Sequence, residues 1–267
     1  MKIKHTPPSH AALVRLSLTG LMMVGLACQA QGAAPSGTAR VLGQVRDAAT
    51  QRLLYTEVHE QRLNADGSVQ TGLTTYADPQ GREIGRKKLD FRANRTVPVF
   101  RMDLPAQGYA EGISDVGQDV SAFKLDQGQE QRKRLPVSAG IVAADSGFNQ
   151  LLLDQMGRLK ANETVAFKLI VAGNLDQYQF RARKVADTQL RGQAALRIRV
   201  EPDSLLRWVV DPIELVYNAA GSRLLQYTGI SNVLDPSTGK VFKRVQIEYS
   251  ETPPSEKPPS GTGAPLR

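Results

Sequence analysis

The 267-residue chain has one cysteine, Cys28, three histidines and one tryptophan, and only 6% of its residues are aromatic. One cysteine allows neither an intramolecular disulfide nor a multi-cysteine metal site, so the domain must be stable through its own core. So few aromatic side chains leave no stacking platform for nucleic acid, and no nucleic-acid partner is expected. A Gly-x-Ser-x-Gly nucleophile elbow is absent. Gly108 to Gly112 and Gly229 to Asn232 bear glycine, but no helix follows them as a phosphate loop requires, and they read as bulges or close strand approaches. Neither a catalytic residue nor a cofactor nor a metal is expected.

Long apolar runs are missing too, with one exception near the start. Lys2, Lys4 and Arg15 precede an apolar stretch from Leu16 to Ala27 that ends in small residues, the order of a secretory signal peptide. A dozen residues fall short of the ~20 needed to span a bilayer as a helix. Cleavage after Ala30 or Gly32 is expected, ahead of lipidation at Cys28, because Gly25 makes a poor lipoprotein box. Either cleavage removes Cys28, His5 and His10 and leaves His59 as the only histidine. The sequence thus divides into a signal at 1–32, a linker at 33–40, one domain at 41–250 and a Pro-rich, disordered tail at 251–267. The expected location is the periplasm or the exterior.

Charge of one sign is not overwhelming. The formal net charge is +8, and three of those positive charges lie in the leader, which leaves about +5. That balance suits solubility or contact with an anionic membrane surface better than a nucleic acid.

What the domain does have is period-2 alternation broken by turns, the pattern of half-buried strands. Val165, Phe167, Leu169 and Val171 share a face, as do Tyr178, Phe180 and Ala182, then Leu196, Ile198 and Val200, and finally Val241, Val245, Ile247 and Tyr249 of a last strand at 240–249. Earlier strands are predicted at 41–46, 53–63, 69–76, 83–91, 97–104, 109–116 and 120–125. Asn64 to Gly67, Asp78 to Gly81, Asn218 to Gly221 and Asp235 to Gly239 supply Asn or Asp with a following glycine, which is turn chemistry. One segment differs: at 146–160, Phe148, Leu152, Met156 and Leu159 recur at helical spacing, with Asp145 or Ser146 available as a cap. The expected fold is mainly β, a large curved antiparallel sheet or half-barrel of roughly 10–12 strands, with one amphipathic helix packed on it.

The segment from Asp211 to Tyr249 carries Ile213-Glu214-Leu215-Val216-Tyr217, the run Leu224 to Asp235, a Gly239-Lys240 turn and Val245-Gln246-Ile247-Glu248-Tyr249. It resembles the closing strands of an uncharacterised family of secreted proteobacterial proteins, and Gly147-Phe148-Asn149 leading into Val165 to Leu169 fits the same family. The architecture also resembles the curved half-barrels of periplasmic lipoprotein carriers, in which a sheet wraps an apolar cavity capped by helix. That resemblance implies a lipid or other apolar ligand.

The candidate sites follow from these patterns. Phe148, Leu152 and Met156 of the helix, with Phe167 and Phe180 of the sheet, are the candidate apolar ligand-binding residues. Arg181, Arg183, Arg197 and Arg199 share one face of a hairpin turning between Asp187 and Gly192; they meet either an anionic surface or, as favoured, neighbouring acids. Arg86-Lys87-Lys88 and Arg132-Lys133-Arg134 read as solvated loops. Tyr55, Glu57 and His59 share a strand face, which alternation assigns to solvent. Three functions remain: a periplasmic binding module sheltering an apolar ligand, an envelope interaction protein with a solid core, and a hydrolase centred on His59. The oligomeric state is open.

Overall fold

The structure, a computed structural model, describes residues 37–137, 140–204 and 211–252. The leader and cleavage sites, nearly all of the Pro-rich tail and half of the linker lie outside these residues.

Fifteen strands form one sheet, against the ten to twelve expected. The first eight are β1 (Thr38–Asp47), β2 (Leu53–Leu63), β3 (Val69–Ala77), β4 (Glu83–Asp90), β5 (Val99–Leu104), β6 (Tyr109–Val116), β7 (Asp119–Asp126) and β8 (Gln129–Pro136). Then come β9 (Val142–Ala144), helices α1 (Phe148–Asp154) and α2 (Met156–Lys160), β10 (Val165–Val171), β11 (Asp176–Leu190), β12 (Gln193–Pro202), β13 (Ile213–Asn218), β14 (Leu224–Gly229) and β15 (Val245–Thr252). β1 begins inside the segment expected to be a linker. All four expected turns are present, with Gly67, Gly81, Gly221 and Gly239 at positive φ.

The sheet consists of two meanders fused at the middle. Its order runs from β8 back to β1, across to β15, and back to β9. The two edges, β8 and β9, are therefore consecutive in the chain and separated only by residues 137–141. Fifteen strands laid flat would span roughly 67 Å at ~4.8 Å per strand, whereas five extended residues bridge only about 20 Å. The sheet has to roll up.

Among the described residues no strand ladder joins the two edges, although the Ala144 N–H donates to the Thr96 carbonyl just before β5 at 2.8 Å. Val142, Ala144, Ile170 and Ala172, from β9, β10 and the turn after β10, pack with Val97, Phe100, Ile113, Val120 and Leu135 of the β5–β8 side. The other face of β10 supplies Val165, Phe167 and Leu169 to a second cluster. This edge thus tucks inside the opposite one and is buried on both faces. The outward row of the meander carries Glu60, Arg62, Arg86 and Lys88, the reverse of a membrane barrel, whose lipid-facing residues are apolar.

The expected single helix is two. The chain leaves helical geometry at Gln155 (φ −96°, ψ 3°), and the first turn starts after Gly147 with no side-chain cap, so neither Asp145 nor Ser146 serves as one. The break lets Leu151 and Leu152 on one side, and Met156 and Leu159 on the other, reach a single core with Leu196, Ile198, Val200 and Leu215. Arg132-Lys133-Arg134 lies in β8, not in a loop, and Arg86 to Lys88 belongs to β4.

Candidate functional site

The helices fill only part of the rolled sheet. The inner face of β1–β4, β14 and β15 borders a cavity of about 1450 Å³, larger than the roughly 300–1,000 Å³ of ordinary small-molecule pockets. Its rim is made of turns, including Asp66 to Ser68, Arg191 and Ser222 to Arg223, and one wall is the segment of Asp145, Ser146, Phe148, Asn149 and Leu153. Asn149 is held by the buried Tyr217, whose hydroxyl donates to Oδ1 at 2.7 Å. Arg95 ties the β4–β5 loop to α1 through Asp154 at 3.1 Å. At the other end Tyr55, Tyr76, Val233 and Ile247 pack into a third apolar cluster, and Tyr55 and Ser231 share a 2.7 Å hydrogen bond.

The row that faces this cavity is polar. Tyr55, Glu57 and His59 point inward, contrary to their expected solvent-facing placement, because Thr56, Val58, Glu60 and Arg62 take the outer face. Register pairs His59 with Thr74 and Glu57 with Tyr76 across β3, and Glu57 with Gly43 across β1. Gly43 is what makes room for the acid: a Cβ there would stand 2.5 Å from Glu57 Cγ. Glu57 Oε1 lies 3.0 Å from His59 Nε2, and His59 Nδ1 lies 2.9 Å from Thr74 Oγ1. A carboxylate at Nε2 selects the tautomer with its hydrogen there and leaves Nδ1 to accept from the threonine hydroxyl. Burial pushes the Glu57 carboxyl up, but His59, the Tyr249 hydroxyl against it and the Lys87 ammonium together hold it below its ordinary value.

Thr74, His59 and Glu57 have the connectivity of a nucleophile, a base and an orienting acid. Thr74 is only 2% exposed, and the three side chains form a cross-strand hydrogen-bond relay on the cavity wall.

A second polar group lies deeper. Lys87 faces inward from β4, with its Nζ 5.8 Å from the Phe100 ring centre. Its charge is felt by three buried carboxyls, those of Glu57, Glu111 and Asp145. Glu111 is pushed up to about 7, by burial first and then by the Asp145 charge, although the Tyr109 hydroxyl donates to it at 2.6 Å. Gly173, in the turn after β10, leaves the space these two side chains occupy. Asp145 is raised mainly by burial, against the pull of Lys87 and of bonds from the backbone and side chain of Ser146 and the backbone of Ala172.

The residues singled out from sequence do not assemble as one site. Phe148 lines the cavity. Leu152, Met156 and Phe167 are buried in the packed cluster under the helices, and Phe180 stacks on Phe167 at its edge, with ring centres 6.2 Å apart. On the β11–β12 hairpin, Arg183 stands opposite Arg199 and Arg181 opposite Glu201. Arg181 bonds Glu201 at 2.6 Å and Arg199 bonds Glu214 at 2.6 Å, while Arg183 lies 3.7 Å from Glu201. Arg197, across the β11 bulge, is exposed and faces Ala186. Sequence reasoning missed Thr74, Lys87, Glu111, Asp145 and Tyr249. The one available signal was the set of inward glycines, Gly43 among them, that mark close approach inside a sheet.

No family model matches the chain, and no curated protein matches it. Among solved structures, the chain is similar to a crystal structure of a β-barrel-like protein of the domain of unknown function DUF1849 from Brucella abortus. The identity is 6%, the match covers 82% of this chain and 98% of that one, and the TM-score is 0.46.

Proposed function

We propose that the protein is an exported binding module that shelters an amphiphilic small molecule, a lipid or a similar ligand, inside its rolled sheet. The observation that carries this reading is the cavity itself: a space of about 1450 Å³ left open beside a half that is packed solid. The cavity opens to solvent, and a bound ligand would remove its apolar lining from water. Phe148, Leu153 and Leu89 offer apolar wall, and Glu57, His59 and Lys87 offer polar anchors. An amphiphile matches both, which adds polar specificity to the plain apolar burial expected from sequence. The basic, apolar order of Lys2, Lys4, Arg15 and Leu16 to Ala27 supports export.

The test is native mass spectrometry of the protein purified without detergent from a periplasmic extract, followed by organic extraction of whatever is bound. A stoichiometric adduct in the lipid mass range is the expected result. A clean apo mass, together with no saturable uptake of added amphiphile, overturns the reading and favours an envelope protein that works by its outer surface.

A further inference from the structure

One cation faces the cavity with nothing to bond. Lys87 sits in the middle of β4, paired with Thr74 on β3 and Met102 on β5, and it is half-buried where both of those neighbours are sealed. A ladder covers its backbone on each side, so the surface it keeps belongs to the side chain, which borders the cavity beside His59 and Thr74. Its Nζ lies 5.8 Å from the Phe100 ring centre and makes no hydrogen bond or ion pair among the described residues. An ammonium carries three donors, and a half-buried one without an acceptor calls for a missing partner.

The acids whose charge Lys87 influences are all engaged elsewhere. Glu57 bonds His59 at 3.0 Å and takes the Tyr249 hydroxyl. Glu111 accepts from Tyr109 at 2.6 Å, and Asp145 is held by the backbone and side chain of Ser146 and the backbone of Ala172. We propose that Lys87 anchors a ligand carboxylate: the sheltered amphiphile is a fatty-acid-like monoanion, whose head accepts from the Lys87 ammonium. This rests on the reading that the cavity takes a ligand. A carboxylate brings acceptors only, which is what this ammonium lacks, whereas an amine head brings donors and a like charge.

The lining as a whole agrees in charge. It holds five cations, Arg40, Lys87, Arg95, Arg191 and Arg223, against four acids, Glu57, Asp66, Asp145 and Glu251. Arg95, Arg191 and Arg223 are tied in ion pairs with Asp154, Glu248 and Glu251, and Arg40 stands opposite Glu60 in the outward row. Lys87 is thus the lining cation that points inward and forms no ion pair. An alkyl tail leaving it has apolar surface at once: Leu89 follows on the same face of β4, and Phe148 and Leu153 of the helix wall border the same space.

The experiment is calorimetric titration of the detergent-free protein with dodecanoate, dodecanol and dodecylammonium, each below its aggregation concentration. Dodecanoate is expected to bind about tenfold or more tightly than dodecanol, as a charge-assisted hydrogen bond over a neutral one would give, with dodecylammonium weakest. Lys87→Met, close in length and uncharged, should bring dodecanoate down to the level of dodecanol while leaving dodecanol unchanged, which also shows that the variant folds. Lys87→Gln should act in the same direction and serves if Lys87→Met does not fold. Lys88→Met, on the outer face of the same strand, should keep the full preference. Equal binding of acid and alcohol, a preference that survives the Lys87 variants, or one lost equally in Lys88→Met overturns the anchor while leaving the cavity reading intact. Failure of all three chains to bind overturns both.

Discussion

The two halves of the rolled sheet obey the same alternation and use it differently. Around the helices, the inward row of β10, β12 and β13 is Val165, Phe167, Leu169, Leu196, Ile198, Val200 and Leu215, all buried, and the space is filled. Around the cavity, the inward row of β2–β4 and β15 holds Tyr55, Glu57, His59, Thr74, Tyr76, Lys87 and Tyr249. Apolar burial explains the first row and not the second. Sequences depart from amphipathic patterning mostly where function requires it, and the contrast is the reason the proposed ligand site is placed in the hollow half.

Breaking each half should therefore have different consequences. Leu152→Ala, deep under the sheet on the solid side, should lower unfolding free energy by about 2–5 kcal/mol in urea titration. Phe148→Ala, on the cavity wall, should cost clearly less and instead weaken amphiphile binding. If the two cost the same, the hollow half is packed like the solid one and the contrast fails.

The buried acids sharpen the comparison through pH. Glu111 faces Tyr109 on its own strand, Lys124 on β7, Lys87 on β4 and Asp145 after β9, and its carboxyl is raised from 4.5 to about 7. A raised acid keeps its proton in the folded state after the unfolded chain has lost it. Its contribution to stability therefore declines as pH rises from about 4.5 to about 7, by up to ~3 kcal/mol, and levels off above. Urea titrations across that range should show the decline, and Glu111→Gln should flatten it. A slope unchanged in that variant would move the effect to another group.

Gly43→Ala tests whether the polar row is tightly placed. The added methyl collides with Glu57, and overpacking of this kind costs about 1–3 kcal/mol. Combining it with Glu57→Ala should recover part of the loss, giving a double-mutant cycle that is far from additive. Additivity would mean that Glu57 lies elsewhere.

Much of this architecture could be read from the residues. Alternation located most strands, and Asn or Asp followed by glycine located the turns, because both signals are local. β8 escaped because Gln129 to Arg134 is exposed on both faces, as a charged edge strand can be. β9 escaped because three buried residues paired in parallel are too short to show a period. Which face of β2 is inner was misjudged for a different reason. Alternation separates Tyr55, Glu57 and His59 from Thr56, Val58 and Glu60, but both rows are polar, and only the curl of the whole sheet decides between them. The approach of Asp145 to Glu111 was invisible because it depends on the β9–β10 edge tucking under β6, more than thirty residues away in the chain.

The fusion of the two meanders at β1 and β15 also sets an order of events during synthesis. β2 is available to β1 almost at once, but its other neighbour is the last of the described strands to be made. Until Val245–Thr252 emerges, one side of β1 displays unpaired backbone donors and acceptors, a template for any other extended chain. Among the described strands, β15 is thus also the one that removes this template.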